Sequence, residues 1–473
     1  MEAFYLVLFL LQAGVAGYLE YLNRARGESK HSEAPKDFIL FRNNYLVVYS
    51  LMMAGDWLQG PYVYALYEHY GFDRGDIGRL FIAGFGSSMI FGTIVGSLAD
   101  KHGRKRAALT YVLTYSLGCF SKHFNSFWIL FFGRVLCGIS TSLLYSAFES
   151  WLVAEHFKRN YVADWLGTTF SQAVFLGNGL MAILSGLFAH SLVETFGLGP
   201  VAPFDAAATV MIIGGVIISS TWSENFGDSS GGGETIDVFK KAAKLITSDQ
   251  KIALLGAMQA LFEGSMYTFV FLWTPALSPN QEHIPHGMIF ACFMVSSMVG
   301  SAFAGKLLSK TSNIKPEKYM QAVFGMASLC LLVPVMYSGS TGPEYNPTGG
   351  ITLNGKIQLI AFCAFECLVG VFWPSMMTLR SQYVPEEIRS TIINFFRIPL
   401  NLFVCVVLYN VSALPLSTMF SMCSFFLLVC LACQKKFALL VQSKQHGHAH
   451  SSHLNDEEQA SIEQTKLPSS TEH

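Results

Sequence analysis

The chain has 473 residues, of which 52% are hydrophobic and only 13% are charged, against about 25% charged in soluble proteins. This composition excludes an ordinary soluble domain and predicts a membrane protein. The formal net charge of −1 gives no basic surface for nucleic acid, and the ten cysteines fall inside apolar segments, which is typical of buried thiols rather than of a disulfide framework.

The first apolar stretch is Met1–Leu22. Its N-terminal part carries no positive charge, and no convincing cleavage site follows it, so we predict an extra membrane helix that is retained rather than a signal peptide. Residues 23–43 are polar and include a proline. They predict a cytoplasmic linker.

Twelve further apolar stretches of about twenty residues each follow. They predict an all-α membrane protein with two six-helix bundles, 44–222 and 252–433, around a central cavity. The segment between the bundles, 223–251, contains a Gly/Ser-rich run and then a basic helical run, and predicts a cytoplasmic linker. The polar, His-rich end, 434–473, predicts a disordered cytoplasmic tail rather than a metal site.

Lys and Arg residues are concentrated in alternate connecting segments. The other set of segments holds few of them, namely Arg74, Arg79, Lys122 and Lys356. Because basic residues mark the cytoplasmic side of membrane proteins, we predict a multi-pass protein of the cell membrane whose C-terminus faces the cytoplasm.

A cationic turn joins the second and third predicted spans of the first bundle. It reads GSLADKHGRKR from Gly96 to Arg106 and resembles the signature loop between helices 2 and 3 of the major facilitator superfamily. The resemblance implies a conformational switch that connects the inner ends of both bundles. Its expected members are Gly96, Asp100, Gly103, Arg104 and Lys105.

Longer segments extend this resemblance over roughly residues 40–435. They include SAFESWLVAEH (146–156), GLGPVAPF (197–204), QALFEGSMYTFVFLWTP (259–275) and NFFRIPLN (394–401), and they resemble the molybdate-anion transporter family within that superfamily. The resemblance implies alternating-access transport of molybdate, a tetrahedral dianion, at the plasma membrane, with no cofactor. Composition and spacing alone do not indicate molybdate.

Ionisable side chains inside predicted membrane helices are functional candidates, because placing a charge there is costly. All of them are predicted to lie near the middle of the bilayer, where transporters of this type bind substrate. The set is Asp56, Arg134, Glu263, Glu366 and Arg397.

Arginine suits an oxyanion because its planar fork donates two hydrogen bonds and keeps its charge. Arg134 is therefore the leading candidate ligand, since it is predicted on a cavity-lining helix. The carboxylates suit proton coupling instead. The alternative for Arg134 is a fixed ion pair with Glu366 or Asp56 that only joins helices. Polar neighbours that could complete a site include Gln59, Tyr62 and Gln259.

Two other functions stay open from the sequence. One is a carrier of the same fold for a sugar or another organic solute, and the other is a non-transporting membrane sensor. We predict that the chain is not an enzyme and binds no metal, because its sequence contains no phosphate-binding loop, nucleophile–base motif or metal-ligand spacing within the helices.

Overall fold

The computed structural model describes residues 3–27, 35–226, 234–278, 283–308, 314–338, 351–385 and 389–465. Within these ranges the chain forms seventeen α-helices joined by short turns, and it contains no strand. The prediction of an all-α protein is confirmed.

The first half contains an N-terminal helix and one bundle. Pro61, which lacks a backbone N–H, follows Gly60 where the first span of the bundle breaks. The fourth and fifth spans are also built from two helices each. The helices are α1 (Ala3–Gly27), α2 (Lys36–Gln59), α3 (Val63–His69), α4 (Arg74–His102), α5 (Arg104–Phe120), α6 (Phe127–Leu144), α7 (Ala147–Lys158), α8 (Ala163–Val174), α9 (Ala182–His190) and α10 (Ala202–Thr221).

The second half begins with a helix in the predicted linker and continues with one helix for each span of the second bundle. The helices are α11 (Glu234–Ser248), α12 (Gln250–Leu277), α13 (His286–Leu307), α14 (Pro316–Ser338), α15 (Leu353–Tyr383), α16 (Arg389–Tyr409) and α17 (Leu416–Thr465). We refer to α2–α10 as the first bundle and to α12–α17 as the second bundle.

Eight helical segments of the described residues are long and apolar enough to cross a membrane by length and composition. They confirm a multi-pass membrane protein. The other predicted spans correspond to α2, α4, α5, α12 and α16, which are not among the eight. Three of these helices, α2, α12 and α16, carry ionisable candidates that the sequence placed at mid-membrane, namely Asp56, Glu263 and Arg397.

The extra helix α1 packs against α13 of the second bundle. Tyr5 and Ala16 are buried in this contact, and the Cys292 Sγ lies 3.9 Å from the Tyr5 carbonyl oxygen. The Lys356 ammonium lies 5.4 Å from the centre of the Phe4 ring. Helix α1 thus has a defined docking face on the second bundle.

The two bundles meet most closely at one end of the molecule. We call the end that carries Gly103 the loop end and the opposite end the far end. At the far end α9 packs on α13, and a Cβ added to Gly287 would lie 2.6 Å from the Gly186 carbonyl oxygen. A second contact between the bundles joins α4 and α12, where the Phe81 and Phe271 rings pack edge-to-face with centroids 5.2 Å apart. The two bundles are therefore in direct contact at the far end.

Helix α17 continues to Thr465, well beyond Cys433, where the sequence predicted the last span to end. The predicted disordered tail, 434–473, is thus helical over 434–465. The physical reason is that this stretch contains no proline and a single glycine, Gly447, so little interrupts the helical hydrogen bonds. Phe437 is fully buried, and the Gln434 amide donates to the Glu317 carbonyl oxygen at 2.9 Å.

Candidate functional site

The first bundle places Asp56 and Arg134 within electrostatic range of each other. Asp56 lies on α2, and the Tyr115 hydroxyl of α5 donates to its Oδ1 at 2.5 Å. Arg134 of α6 attracts the same carboxylate electrostatically. Arg134 is therefore an electrostatic neighbour of Asp56, but among the described residues no ion pair joins the two.

Two contacts hold the guanidinium of Arg134 against α4, and a glycine on that helix makes room for it. Its Nε donates to the Leu80 carbonyl oxygen at 3.4 Å, and its central carbon lies 5.0 Å from the centroid of the Phe81 ring. A Cβ at Gly84 would lie 2.7 Å from Nη2, so the absence of a side chain there makes room for the arginine. Arg134 is thus anchored within its own bundle.

The second bundle contains a larger charged cluster. Glu263 on α12 is only 1% exposed, and both Arg397 and Arg380 attract it electrostatically. Arg380 Nη1 donates to the Gln259 Oε1 at 2.7 Å, and Gln259 precedes Glu263 by about one helical turn. Two of the predicted residues, Gln259 and Glu263, therefore lie together, beside an arginine that the sequence analysis missed.

Arg380 was missed because the predicted span ended at Leu379 and counted this arginine as a cytoplasmic charge. Helix α15 instead continues to Tyr383, and Arg380 is buried. The signal that could have revealed it is the unbroken helical pattern after Leu379, since no glycine or proline occurs before Pro385.

Arg397 on α16 lies between the two bundles. It interacts electrostatically with Tyr267 and Glu263 of its own bundle and with Tyr145 of the first bundle. Arg397 is exposed, as is Tyr145, at the junction of α6 and α7, at 45%. Arg397 and Tyr145 are thus two exposed polar side chains that interact across the two bundles.

Glu366 lies apart from these clusters. It is buried on α15, with 6% of its surface exposed, and among the described residues no ion pair includes it. The alternative of an Arg134–Glu366 ion pair is not found, because the arginine is anchored in the first bundle beside Asp56. The similar spacing of the two residues in each half did not make them neighbours.

The remaining predicted neighbours lie toward the far end. The Gln59 amide Nε2 contacts the Cys119 Sγ at 3.3 Å in a buried position. Tyr62 is 2% exposed, and its ring packs against His286 with centroids 5.6 Å apart. Both side chains lie inside packed helices and away from the open part of the cavity.

The signature loop is fixed by a carboxylate at the end of α10. Gly103 adopts a φ of 109°, and Glu224 accepts from the backbone N–H groups of Lys105 at 2.8 Å and Arg106 at 3.2 Å. A Cβ on Gly103 would lie 2.6 Å from the Glu224 carboxyl carbon. Glycine is therefore required here by both backbone conformation and space.

Further contacts tie the same loop to its own bundle. The Lys105 ammonium donates to the Trp222 carbonyl oxygen at 2.7 Å, and Arg104 Nη1 donates to the Ser150 carbonyl oxygen at 3.1 Å. These contacts all lie within the first half of the chain. The bridge to the second bundle that the sequence predicted belongs to the outward-open arrangement and stays a prediction. The surroundings of Gly96 and Asp100 lie outside the described part of the structure.

Comparisons with known proteins agree with this architecture. A family model described as sugar transporters with 12 transmembrane segments matches residues 3–362. The molybdate-anion transporter of Xenopus laevis is 34% identical over 412 residues, which cover 86% of this chain and 88% of the relative. The corresponding protein of Xenopus tropicalis is 33% identical, with coverages of 86% and 87%. The chain belongs to the molybdate-anion transporter family.

Solved structures show the fold of this family member. A POT family transporter in complex with 5-aminolevulinic acid superposes with a TM-score of 0.66 at 10% identity, and the match covers 85% of this chain and 96% of that one. The D-xylose–proton symporter gives a TM-score of 0.61 at 10% identity, with coverages of 82% and 97%. These matches confirm the major facilitator fold that the sequence predicted.

Proposed function

We propose that this chain is a secondary transporter that carries molybdate, or a similarly small tetrahedral oxyanion, across the membrane by alternating access. Membership of the molybdate-anion transporter family supports the substrate class, and the cavity between two bundles, closed at one end, supports the mechanism. The transport is driven by an ion gradient or by the gradient of the substrate itself.

The observation that carries the proposal is the position of Arg397. A dianion that enters the middle of a membrane protein exchanges its water shell for fixed donors, or several kcal/mol of desolvation go uncompensated. Arg397 is exposed to the cavity and offers a planar fork of N–H donors. The hydroxyls of Tyr267 and Tyr145 belong to its surroundings. An oxyanion bound here would contact both bundles.

Arg134, the leading candidate from the sequence, takes a second place in this proposal. Its guanidinium already contacts the Leu80 carbonyl and the Phe81 ring, and its charge is opposed by Asp56. In this proposal Arg134 does not bind the anion directly; its positive charge attracts the anion from the side of the first bundle. Glu263 shares Arg397 with the bound anion, and Asp56 offsets the positive charge of Arg134, so protonation of either carboxylate would favour anion binding and would couple transport to protons.

We further propose that the loop end faces the cytoplasm and that the protein resides in the plasma membrane. The distribution of Lys and Arg supports this orientation: Lys101, Arg104, Lys105 and Arg106 cluster at the loop end. In this orientation the structure is open to the cytoplasm and closed to the outside.

A sugar or another organic solute is the second candidate substrate, because the matching family model is described as sugar transporters. The two candidates differ in charge. A neutral sugar needs no arginine at mid-membrane, whereas a dianion does.

Uptake of radiolabelled molybdate into proteoliposomes separates these functions. We expect saturable uptake that exceeds the uptake of empty liposomes and that tungstate reduces, while glucose leaves it unchanged. Sulfate as a third competitor measures selectivity among tetrahedral dianions. Absence of uptake, or competition by glucose and not by tungstate, would overturn the oxyanion proposal.

A further inference from the structure

A histidine and a glutamate form an ion pair across the closed far end. His283 immediately precedes α13 of the second bundle, and Glu194 follows α9 of the first bundle. The His283 Nε2 lies 3.3 Å from the Glu194 Oε2, and the two side chains are 82% and 18% exposed. This pair therefore joins the two bundles at a position that water can reach.

Other titratable groups face the same pair from the surrounding helices. Glu194 interacts electrostatically with Tyr62 of the first span and with His190 of α9, and His286 at the start of α13 packs against Tyr62. The ring atoms His190 Nδ1 and His286 Nε2 have no hydrogen-bond partner in the described part of the chain. Glu194 thus faces His283, His190 and Tyr62, and His286 packs on the Tyr62 ring.

The pair depends on the closed arrangement of the bundles. Beside it, α9 and α13 approach until a Cβ on Gly287 would lie 2.6 Å from the backbone nitrogen of His190. When the bundles rotate to open the far end, this backbone contact must break. His283 and Glu194 lie on opposite sides of the contact, so they separate in the same movement.

We propose that His283 is a proton-binding site whose occupation holds the far end of the transporter closed. The inference rests on the alternating access set out under Proposed function. Histidine is the side chain whose charge changes within the physiological pH range, and His283 is exposed and faces a carboxylate. The imidazolium attracts the Glu194 carboxylate and the neutral ring attracts it less, so acid favours the closed far end.

The neighbouring histidines set the limit of this effect. Protonation of His286 as well would place two positive charges side by side and leave the second one without a carboxylate of its own. His190 is 7% exposed, and burial disfavours the charged form of such a ring. One proton on the exposed His283 is therefore the arrangement that Glu194 stabilises best.

The chain supplies a matched control for this proposal. The His123 Nε2 lies 2.7 Å from the Asp205 Oδ1, and these side chains are 42% and 55% exposed. This pair has the same chemistry and lies at the same end of the molecule, but both residues belong to the first bundle. Its formation does not depend on whether the bundles are open or closed.

The test measures opening of the far end with a cysteine in the closed interface. Val411 is fully buried next to Gly78 of α4, so Val411→Cys reacts with a maleimide only when the far end opens. Ile77→Cys, at a position buried to 1%, serves as a second probe if the first fails to fold. Labelling rates in nanodiscs are divided by those of the same protein unfolded in detergent at the same pH, and the signal of the parent chain is subtracted.

We expect the normalised rate to be about two- to five-fold lower at pH 5.5 than at pH 8, as suits one exposed ion pair. His283→Gln and Glu194→Gln should each abolish this difference, and His123→Gln should retain it. The proposal is overturned if the parent shows no pH dependence, if His283→Gln keeps it, or if His123→Gln removes it equally. Molybdate uptake by the same preparations tests the substrate separately, because labelling needs no substrate.

Discussion

The two bundles hold their mid-membrane arginines in different ways. In the first bundle, Arg134 contacts the Leu80 carbonyl and the Phe81 ring and lies within electrostatic range of Asp56. In the second bundle, Arg397 is exposed and interacts with tyrosines of both bundles. The difference shows that two arginines in similarly apolar sequence surroundings can have different neighbours: Arg134 contacts its own bundle, whereas Arg397 interacts with both.

The largest effect is expected when the exposed arginine is removed. Arg397→Ala deletes the donors that we assign to the oxyanion and leaves Glu263 with Arg380 as its neighbouring cation. Molybdate uptake should fall to the level of empty liposomes, while the amount of protein in the membrane stays close to that of the parent. Normal uptake by this variant would show that Arg397 does not bind the oxyanion, and the proposed difference in role between the two arginines would be wrong.

A different outcome is expected in the first bundle, where the arginine has a structural partner. Arg134→Ala removes the hydrogen bond to the Leu80 carbonyl, the contact with the Phe81 ring and the positive charge near Asp56, which should cost about 1–3 kcal/mol of stability. Thermal stability and expression should fall together, and Asp56→Asn in the same chain should restore part of both. If Arg134→Ala is stable and yet fails to transport, the arginine is a ligand after all.

The rigid loop end of the first bundle predicts a smaller, purely structural effect. Glu224→Ala removes the acceptor of two backbone N–H groups at the start of α5, a loss of about 1–2 kcal/mol by analogy with helix capping. A lower melting temperature should be seen with substrate affinity unchanged. Asp249, which caps α12 in the same way through the Lys251 N–H, provides the control: Asp249→Ala should lower stability by a similar amount.

The smallest effect is expected at Glu366, the candidate that neither charged cluster includes. Glu366→Gln keeps its size and removes a charge that no described ion pair uses. Uptake should stay within about two-fold of the parent, measured at pH 6 and at pH 8. A large, pH-dependent loss would show that Glu366 takes part in proton coupling despite its separate position.

The sequence was sufficient for the fold and for the family. Apolar length predicts helices because a membrane leaves the backbone no other partner. The signature loop carried the resemblance to the superfamily, and the longer segments carried the resemblance to the molybdate-anion transporter family. The sequence did not predict which side chains on different helices lie next to each other. Arg134 and Glu366 occupy matching positions in the two halves, yet only packing in three dimensions determines that Arg134 lies beside Asp56 instead.

Two residues of the site were missed for a related reason. Arg380 and Glu224 lie at helix ends, where a difference of a few residues decides between a loop and a buried position. Arg380 was assigned to a cytoplasmic loop and Glu224 to the linker, although one contacts Gln259 and the other fixes Gly103. Helix ends in membrane proteins are therefore where sequence patterns leave functional residues least certain.

Equilibrium binding of molybdate to the purified protein tests the central claim most directly, with two substitutions that both keep the positive charge. Arg397→Lys loses the planar fork at the proposed ligand and should raise the Kd about 10- to 100-fold, which corresponds to the loss of one or two charge-assisted hydrogen bonds. Arg134→Lys should change the Kd by less than about three-fold, because that arginine acts through its charge. A larger loss of affinity in Arg134→Lys than in Arg397→Lys would contradict the account and return the oxyanion to the first bundle.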